Sequence, residues 1–159
     1  MTTAPQIRAA RPDDTPAILS IEQRTSSAAH WPREEYEWVF TSDAPRRLIL
    51  VAEENSGTNA ASITGFLVAR EVSGQWEIEN VVVDVAKRGR GLGDRLLREF
   101  IDRARLEGAN LVCLEVRESN DVARRLYTKR GFVECGRRKS YYQNPSEDAV
   151  LYQRSLLSR

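Results

Sequence analysis

Residues 81–100 read VVVDVAKRGRGLGDRLLREF, in which three glycines and two arginines at positions 88–93 join an aliphatic run to an amphipathic helix. Leu92, Leu96, Leu97, Phe100, Ile101 and Ala104 form one helical stripe, Arg95, Arg98, Asp102 and Arg105 fall elsewhere, and Gly108 supplies the stop. The valine run reads as a buried strand, and the junction leaves no space for an ordinary loop. A helix begins with unpaired N–H groups and a partial positive charge, so a turn whose amides point inward is a natural phosphate cradle. Arg88 and Arg90 add charge, Gly91 and Gly93 remove side chains that would shield the amides, and Leu92 anchors the helix in the core. The plainer reading is a tight strand-to-helix connection with solvated arginines. Two other phosphate motifs fit less well, because no Lys-Ser/Thr follows the glycines and Arg88 stands where a dinucleotide fingerprint needs its first glycine. The pattern is R-x-x-G-x-G.

Outward from this junction the chain alternates regularly. Upstream, QIRAA is a short extended start, and RPDDTPAILSIEQRT predicts a helix capped by Asp13 or Asp14, with Ala17, Ile18 and Ile21 inward and its end near Thr25. After SSAAHWP, the segment REEYEWVF predicts a second short helix with Pro32 in its first turn. RRLILVAEE, SITGFLVAREV and WEIENVVVDV read as three successive antiparallel strands, separated by NSGTNA and a Ser-Gly-Gln turn. Downstream, LVCLEV is a strand and SNDVARRLYTKRG a helix capped by Ser119 or Asn120 and ended at Gly131. FVECGRRKSYY and DAVLYQRSL then read as two strands joined by QNPSE. No repeat or linker divides residues 1–159, so the expectation is one mixed α/β domain, in which the strand-helix-strand crossover makes its two strands neighbouring and parallel.

The chain has 159 residues, 41% of them hydrophobic, and 24 basic against 23 acidic residues leave a net charge of +1. That is enough apolar content for one core, and no global field favours nucleic acid or a membrane. Cys113 and Cys135 lack metal-ligand spacing, and neither a secretory signal nor a bilayer-length apolar run is visible, which predicts a soluble cytoplasmic protein. His30 is the one histidine, and nothing flanks it in the way a histidine-rich metal site or a Ser-His-Asp triad needs, which argues against both. Catalysis, if any, must use carboxylates, hydroxyls and backbone amides, with no metal required.

Two constellations stand out. In LVCLEV, alternation sets Val112, Leu114 and Val116 on one face and Cys113 and Glu115 on the other, and a carboxylate in an aliphatic strand costs free energy unless paired or used. Glu115 either pairs with Arg117, sits on a wet face, or serves as a base. On the next helix Asn120 and Tyr127 share a face, and the helix starts directly after the Glu115 strand, so both functional ends reach one edge of the sheet. Tyr127 could equally be a core aromatic. Glu79, in WEIENVVV, is a competing base; alternation sets it opposite Asn80 and Val82, which predicts an exposed structural glutamate.

From about Trp76 to Leu156 the chain resembles the bacterial ribosomal-protein alanine N-acetyltransferases of the GNAT superfamily. NVVVD, RGRGLGDRLL, LEVRESNDVARRLYTKRGF, RKSYY and EDAVLY echo that subfamily in order, and IEQRT and AAHWPREEYEWVF echo it less specifically. The resemblance implies a single GNAT domain over residues 1–159, an α/β (α+β) fold with a twisted, mixed, mostly antiparallel sheet of about seven strands flanked by about four helices. It implies acetyl-CoA as cosubstrate, held by Val81, Val82 and Val83 and by the turn of Arg88, Gly89, Arg90, Gly91, Leu92, Gly93 and Asp94, with Asn120 at the pantetheine arm. It implies Glu115 as general base and Tyr127 as the acid that protonates the departing thiolate. SSAAHWP, with His30 and Trp31, and KSYYQNPSED, with Tyr141 and Tyr142, would line the acceptor groove, with Glu79 beside them; His30 and Trp31 could instead close the turn between the two helices, and the tyrosines could be strand aromatics on a sheet surface. The implied acceptor is a protein N-terminal amine, with the alanine end of a small-subunit ribosomal protein as the inherited candidate. Neither nucleic acid nor membrane is implied as a partner, and a monomer or weak homodimer is expected. Gln143 where the subfamily has proline, the shorter path to Glu147 and Asp148, and Tyr152 where methionine is common leave other readings open: a lysine, polyamine or small-amine acceptor, or a CoA-binding module without turnover.

Overall fold

The computed structural model describes residues 4–25, 28–41, 43–44, 46–55, 57 and 61–157. Parts of two expected connections, Ser26 and Ser27 of SSAAHWP and Ser56 and Thr58–Ala60 of NSGTNA, lie outside them. In chain order the elements are β1 (Gln6–Ala9), α1 (Thr15–Gln23), α2 (Arg33–Val39), β2 (Arg47–Asn55), β3 (Ala61–Val72), β4 (Gln75–Val83), α3 (Leu92–Leu106), β5 (Leu111–Arg117), α4 (Asp121–Lys129), β6 (Val133–Tyr142) and β7 (Glu147–Ser155). They build one seven-stranded sheet in the order β1-β2-β3-β4-β5-β7-β6. β4 and β5, joined through α3, run parallel, and the other described pairs are antiparallel.

Strand alternation divides the core into two layers. Leu50, Ala52, Leu67 and Ala69 turn toward α3 and α4, where the expected stripe of Leu92, Leu96, Leu97, Phe100, Ile101 and Ala104 meets them. Phe100 packs edge-on against Trp76, with ring centroids 5.7 Å apart. Ile49, Val51, Phe66 and Val68 turn the other way, onto Ile18, Leu19 and Ile21 of α1 and Tyr36 of α2.

Three local readings change. Asp14 stands at the N-cap of α1 but makes no side-chain cap; its carboxylate takes the Arg8 guanidinium at 2.8 and 2.9 Å and the Arg11 N–H at 2.7 Å. Pro32 is the N-cap of α2, one position before its first turn. The junction after β4 does hold a connection: a 3-10 turn at Val85–Lys87, begun by Asp84, precedes the glycines.

β4 carries the irregularity that shapes the rest of the molecule. Its register against β3 runs Ala69↔Ile78 and then Val68↔Asn80, so Glu79 is an extra residue without a partner, a β-bulge. The bulge reverses the faces of the strand. Trp76 and Ile78 point into the α3 layer. Past the bulge Val82 points into the α1–α2 layer, and Val81 and Val83 pack toward α3. The bulge also bends β4 away from β5: the two pair over Trp76↔Val112, Glu77↔Cys113 and Ile78↔Leu114 and then separate.

Candidate active site

The separation of β4 from β5 opens a cleft of about 190 Å³ whose walls include Ile78, Glu79, Asn80 and Val81 on one side and Glu115, Val116 and Arg117 on the other. Asn120, Ala123 and Tyr127 of α4 close one end, and Tyr142, Ala28 and Ala29 contribute to the rim. The Asp84 N–H donates to the Thr64 carbonyl at 2.8 Å. Antiparallel alternation then turns the peptide groups of Asn80 and Val82 toward β3 and those of Val81 and Val83 toward the gap. This length of β4 is therefore a strand edge inside the molecule.

At the head of the gap the turn has the shape a phosphate cradle needs. Gly89 and Gly91 sit in the left-handed region (φ 78° and 77°), and a Cβ built on either would meet nothing within 4 Å. Gly91 is the N-cap of α3, so the first N–H groups of a fifteen-residue helix lie beside that open space. Gly93 is packed: its Cβ would stand 3.6 Å from Leu126 and 3.8 Å from Val83. The basic side chains of the turn are partly engaged. Arg88 donates through Nε to the Val83 carbonyl at 3.1 Å, and Lys87 and Arg90 approach the Glu54 carboxylate at 3.3 and 3.8 Å. The Asp94 carboxylate is bound by both edges of the Arg130 guanidinium, with Nη2 at 2.6 Å, which leaves only its backbone for a ligand.

That ion pair clips α3 to the end of α4. Arg130 holds the Asp94 carboxyl below its ordinary range, against a smaller opposing effect of burial. A carboxyl with a lowered folded-state pKa contributes stability above its unfolded pKa of about 3.9, and loses it as pH falls through the folded value. Asp94→Asn is expected to lower stability by about 1–2 kcal/mol near neutral pH. In thermal melts the gap from wild type should begin to narrow as pH falls below about 3.9 and close as it passes through the lowered folded-state value.

Of the two carboxylates, Glu115 is half-buried and pairs with Arg138 of β6 at 3.2 Å. Arg117, its expected alternative partner, instead joins Glu147 at 3.3 Å and lies over the Tyr142 ring. Glu79 is not exposed: it is drawn into the cleft wall by Arg47, whose Nε and Nη2 stand 2.8 and 3.4 Å away. The bulge is the physical reason, since strict alternation no longer applies there.

Tyr127 is 7% exposed, packed against Phe132 and Tyr152, and faces the cleft. Among the described residues its hydroxyl has no hydrogen-bond partner. Burial pushes its ionisation up, with Tyr142 adding to the effect, so the hydroxyl keeps its proton at neutral pH. Tyr142 is pushed up to about 12 by burial and then by Glu115. Tyr141 is half exposed, stacked edge-on with Tyr142, and raised chiefly by Glu115. Asn120 is the α4 cap, its Oδ1 accepting from the Ala123 N–H at 3.2 Å.

The structure thus gathers Glu79, Val81, Glu115, Asn120, Tyr127 and Tyr142 around one cleft. Val82 is in the α1–α2 core. His30 and Trp31 close the turn between α1 and α2: His30 Nε2 lies 2.9 Å from the Thr25 carbonyl, and Trp31 packs on Tyr36 beneath Arg47. Ala28 and Ala29 belong to SSAAHWP, the segment expected to line the groove, whereas sequence reasoning missed Asn80 and Arg138. The one signal among them was Asn80, a polar residue inside an aliphatic strand.

A sheet split at a parallel strand pair, with a glycine-capped helix at its head, is the frame of an acyltransferase. Residues 13–132 match the acetyltransferase (GNAT) family, and the chain belongs to that family. It is 34% identical over 140 residues to the [ribosomal protein bS18]-alanine N-acetyltransferase of Escherichia coli K12, covering 87% of this chain and 88% of that one. Over 80 residues it is 44% identical to N-alpha-acetyltransferase RimI of Mycobacterium tuberculosis, a match spanning 50% of this chain and 49% of that protein. The crystal structure of the ribosomal-protein-S18-alanine N-acetyltransferase from Escherichia coli superposes with a TM-score of 0.82 at 27% identity, over 100% of this chain and 96% of that one.

Proposed function

We propose that the protein transfers the acetyl group of acetyl-CoA to the α-amine of a protein N-terminus, a ribosomal-protein alanine being the first acceptor to test. The observation that carries this reading is the cleft itself, where a carboxylate on β5 and a buried tyrosine on α4, without a hydrogen-bond partner among the described residues, face an open edge of β4. Likeness to the two N-terminal acetyltransferases supports the acceptor class.

The residues present fit acetyl-CoA. The open left-handed glycines and the α3 N-terminus suit a pyrophosphate. The Val81 and Val83 peptide groups suit amides of an extended pantetheine arm, in the manner of strand addition. When bound, acetyl-CoA supplies an activated thioester carbonyl; the chain supplies position and proton traffic. An attacking amine must be neutral, and an α-amine, at about 7.7–8.0 against about 10.4 for lysine, needs only modest help. Glu115 takes that proton, directly or through a water. Tyr127 delivers one to the thiolate, whose pKa of about 8.5 makes a weak acid sufficient. The Val81 N–H, turned toward the gap by strand alternation, polarises a carbonyl there.

A CoA-release assay over N-terminal peptides, internal-lysine peptides and small amines tests the reading directly. Turnover confined to free α-amines supports it; preference for lysine or polyamine replaces the acceptor class; acetyl-CoA binding without any turnover replaces the enzyme. The cradle has its own test. Gly91→Leu adds a side chain in front of the helix with nothing to clash against, at a conformational cost of about 1–2 kcal/mol. Calorimetry is expected to show acetyl-CoA affinity weakened at least about tenfold in a variant with unchanged circular dichroism; unaltered affinity removes the turn from the cofactor site.

A further inference from the structure

Beneath the rim formed by Ala28 and Ala29 lies a buried polar cluster that the chemistry above does not use. Glu22, at the end of α1, is 1% exposed. No basic side chain pairs with it among the described residues. Its Oε1 accepts the Trp31 N–H at 2.5 Å, and its Oε2 accepts the hydroxyl of Tyr36, a side chain of α2 that is itself fully buried. Burial first, and the Glu22 carboxylate second, hold the proton on Tyr36. On the cleft side Asn80, the residue after the β4 bulge, donates from Nδ2 to the Ala29 carbonyl at 3.1 Å. The amide of Ala28 and the ring of His30 both reach the Thr25 carbonyl, at 3.2 and 2.9 Å.

A buried carboxylate is costly unless its oxygens are met by donors, and here the donors come from different places in the chain. One is the backbone at the end of the α1–α2 connection and the other is a side chain of α2, while Glu22 itself belongs to α1. A leucine would fill the same space but would join none of them. The described part of the connection has no regular structure of its own, so its shape over the cleft depends on these side-chain bonds.

We propose that Glu22 and Tyr36 are positioning residues for the acceptor: acting through Trp31 and the adjoining Ala28–Ala29 wall, they fix the rim against which the incoming chain is placed. This rests on the acceptor reading above. The cofactor turn belongs to a different part of the fold, on the opposite side of β4, and shares no residue with the cluster.

The test uses Glu22→Gln and Tyr36→Phe, which keep volume and remove one charge or one hydroxyl. In both, the acceptor KM is expected to rise about tenfold while kcat changes less than about threefold and acetyl-CoA affinity stays within about twofold. Their effects should be less than additive in the double variant, because one deletes and the other alters the same Glu22–Tyr36 bond. Hydrogen exchange supplies a readout independent of turnover: amides of Ala28–Trp31 should exchange faster while those of α3 are unchanged. If one variant does not fold, the other carries the test alone. A lowered melting temperature with unchanged acceptor KM, or equal losses for acceptor and acetyl-CoA, overturns the proposal. If the wild type turns over no amine at all, the functional reading has failed, and unchanged exchange at Ala28–Trp31 would then separately remove the positioning role.

Discussion

Glu115→Gln is expected to lower kcat/KM for an amine acceptor by about a hundredfold or more at neutral pH, with acetyl-CoA affinity retained. Loss of a general base accounts for the size. The amide keeps the shape of the side chain but takes up no proton. Stability should barely move: the partner, Arg138, is more than half exposed, and exposed ion pairs contribute about 0–1 kcal/mol. Glu79 gives the necessary contrast. Its partner Arg47 has a side chain only 8% exposed, and among the described residues Arg47 Nη1 already lacks a hydrogen bond. Glu79→Gln therefore strands a buried guanidinium, a defect that costs about 3–5 kcal/mol. Any loss of turnover in that variant has to be divided by the folded fraction before it is read as chemistry. With that correction, full activity in Glu115→Gln and none in Glu79→Gln would move the base to β4.

Those two glutamates also show what a sequence can reveal. The α3 stripe, the stop at Gly108 and the alternation of LVCLEV were legible, because periodicity records which face is buried, and together they imply the parallel crossover. The bulge at Glu79 was not. One inserted residue leaves composition unchanged yet reverses every side chain after it, so alternation counted through WEIENVVV put Glu79 on an exposed face that the real strand does not have. The gap between β4 and β5 follows from the same residue and was hidden with it. Arg138 escaped for a different reason. It reaches Glu115 across β7, from a strand with two register shifts against that neighbour, and such pairing depends on tertiary register. His30 and Trp31 were open to two readings, groove packing or closure of the turn between the helices, and their contacts to Thr25 and Tyr36 belong to the second. Glu22, inside IEQRT, reads as an ordinary helical polar residue until the fold places Tyr36 and the Trp31 amide over it.

Tyr127→Phe should leave the molecule folded and lower kcat by about a hundredfold, the second-largest effect expected. The ring carries the packing against Phe132 and Tyr152, and phenylalanine retains it. The hydroxyl has no protein partner among the described residues, so its removal orphans nothing. What is lost is a proton donor in the cleft. The pH dependence follows from the direction of the shift: burial raises the folded-state pKa above the ordinary tyrosine value of about 10. Between about pH 7 and pH 10 the donor stays protonated, and wild-type kcat should show no alkaline limb from this group. Stability has the matching sign. The contribution is complete below about pH 10 and is lost as pH rises from there through the folded pKa, because only the unfolded chain ionises freely. Tyr127→Phe should therefore flatten part of the alkaline fall in melting temperature, with the similarly raised Tyr36, Tyr141 and Tyr142 contributing to what remains. Steady-state kinetics separates the roles. An unchanged kcat would deny Tyr127 the acid's part, and a loss confined to acetyl-CoA affinity would make the ring a wall of the pantetheine channel instead.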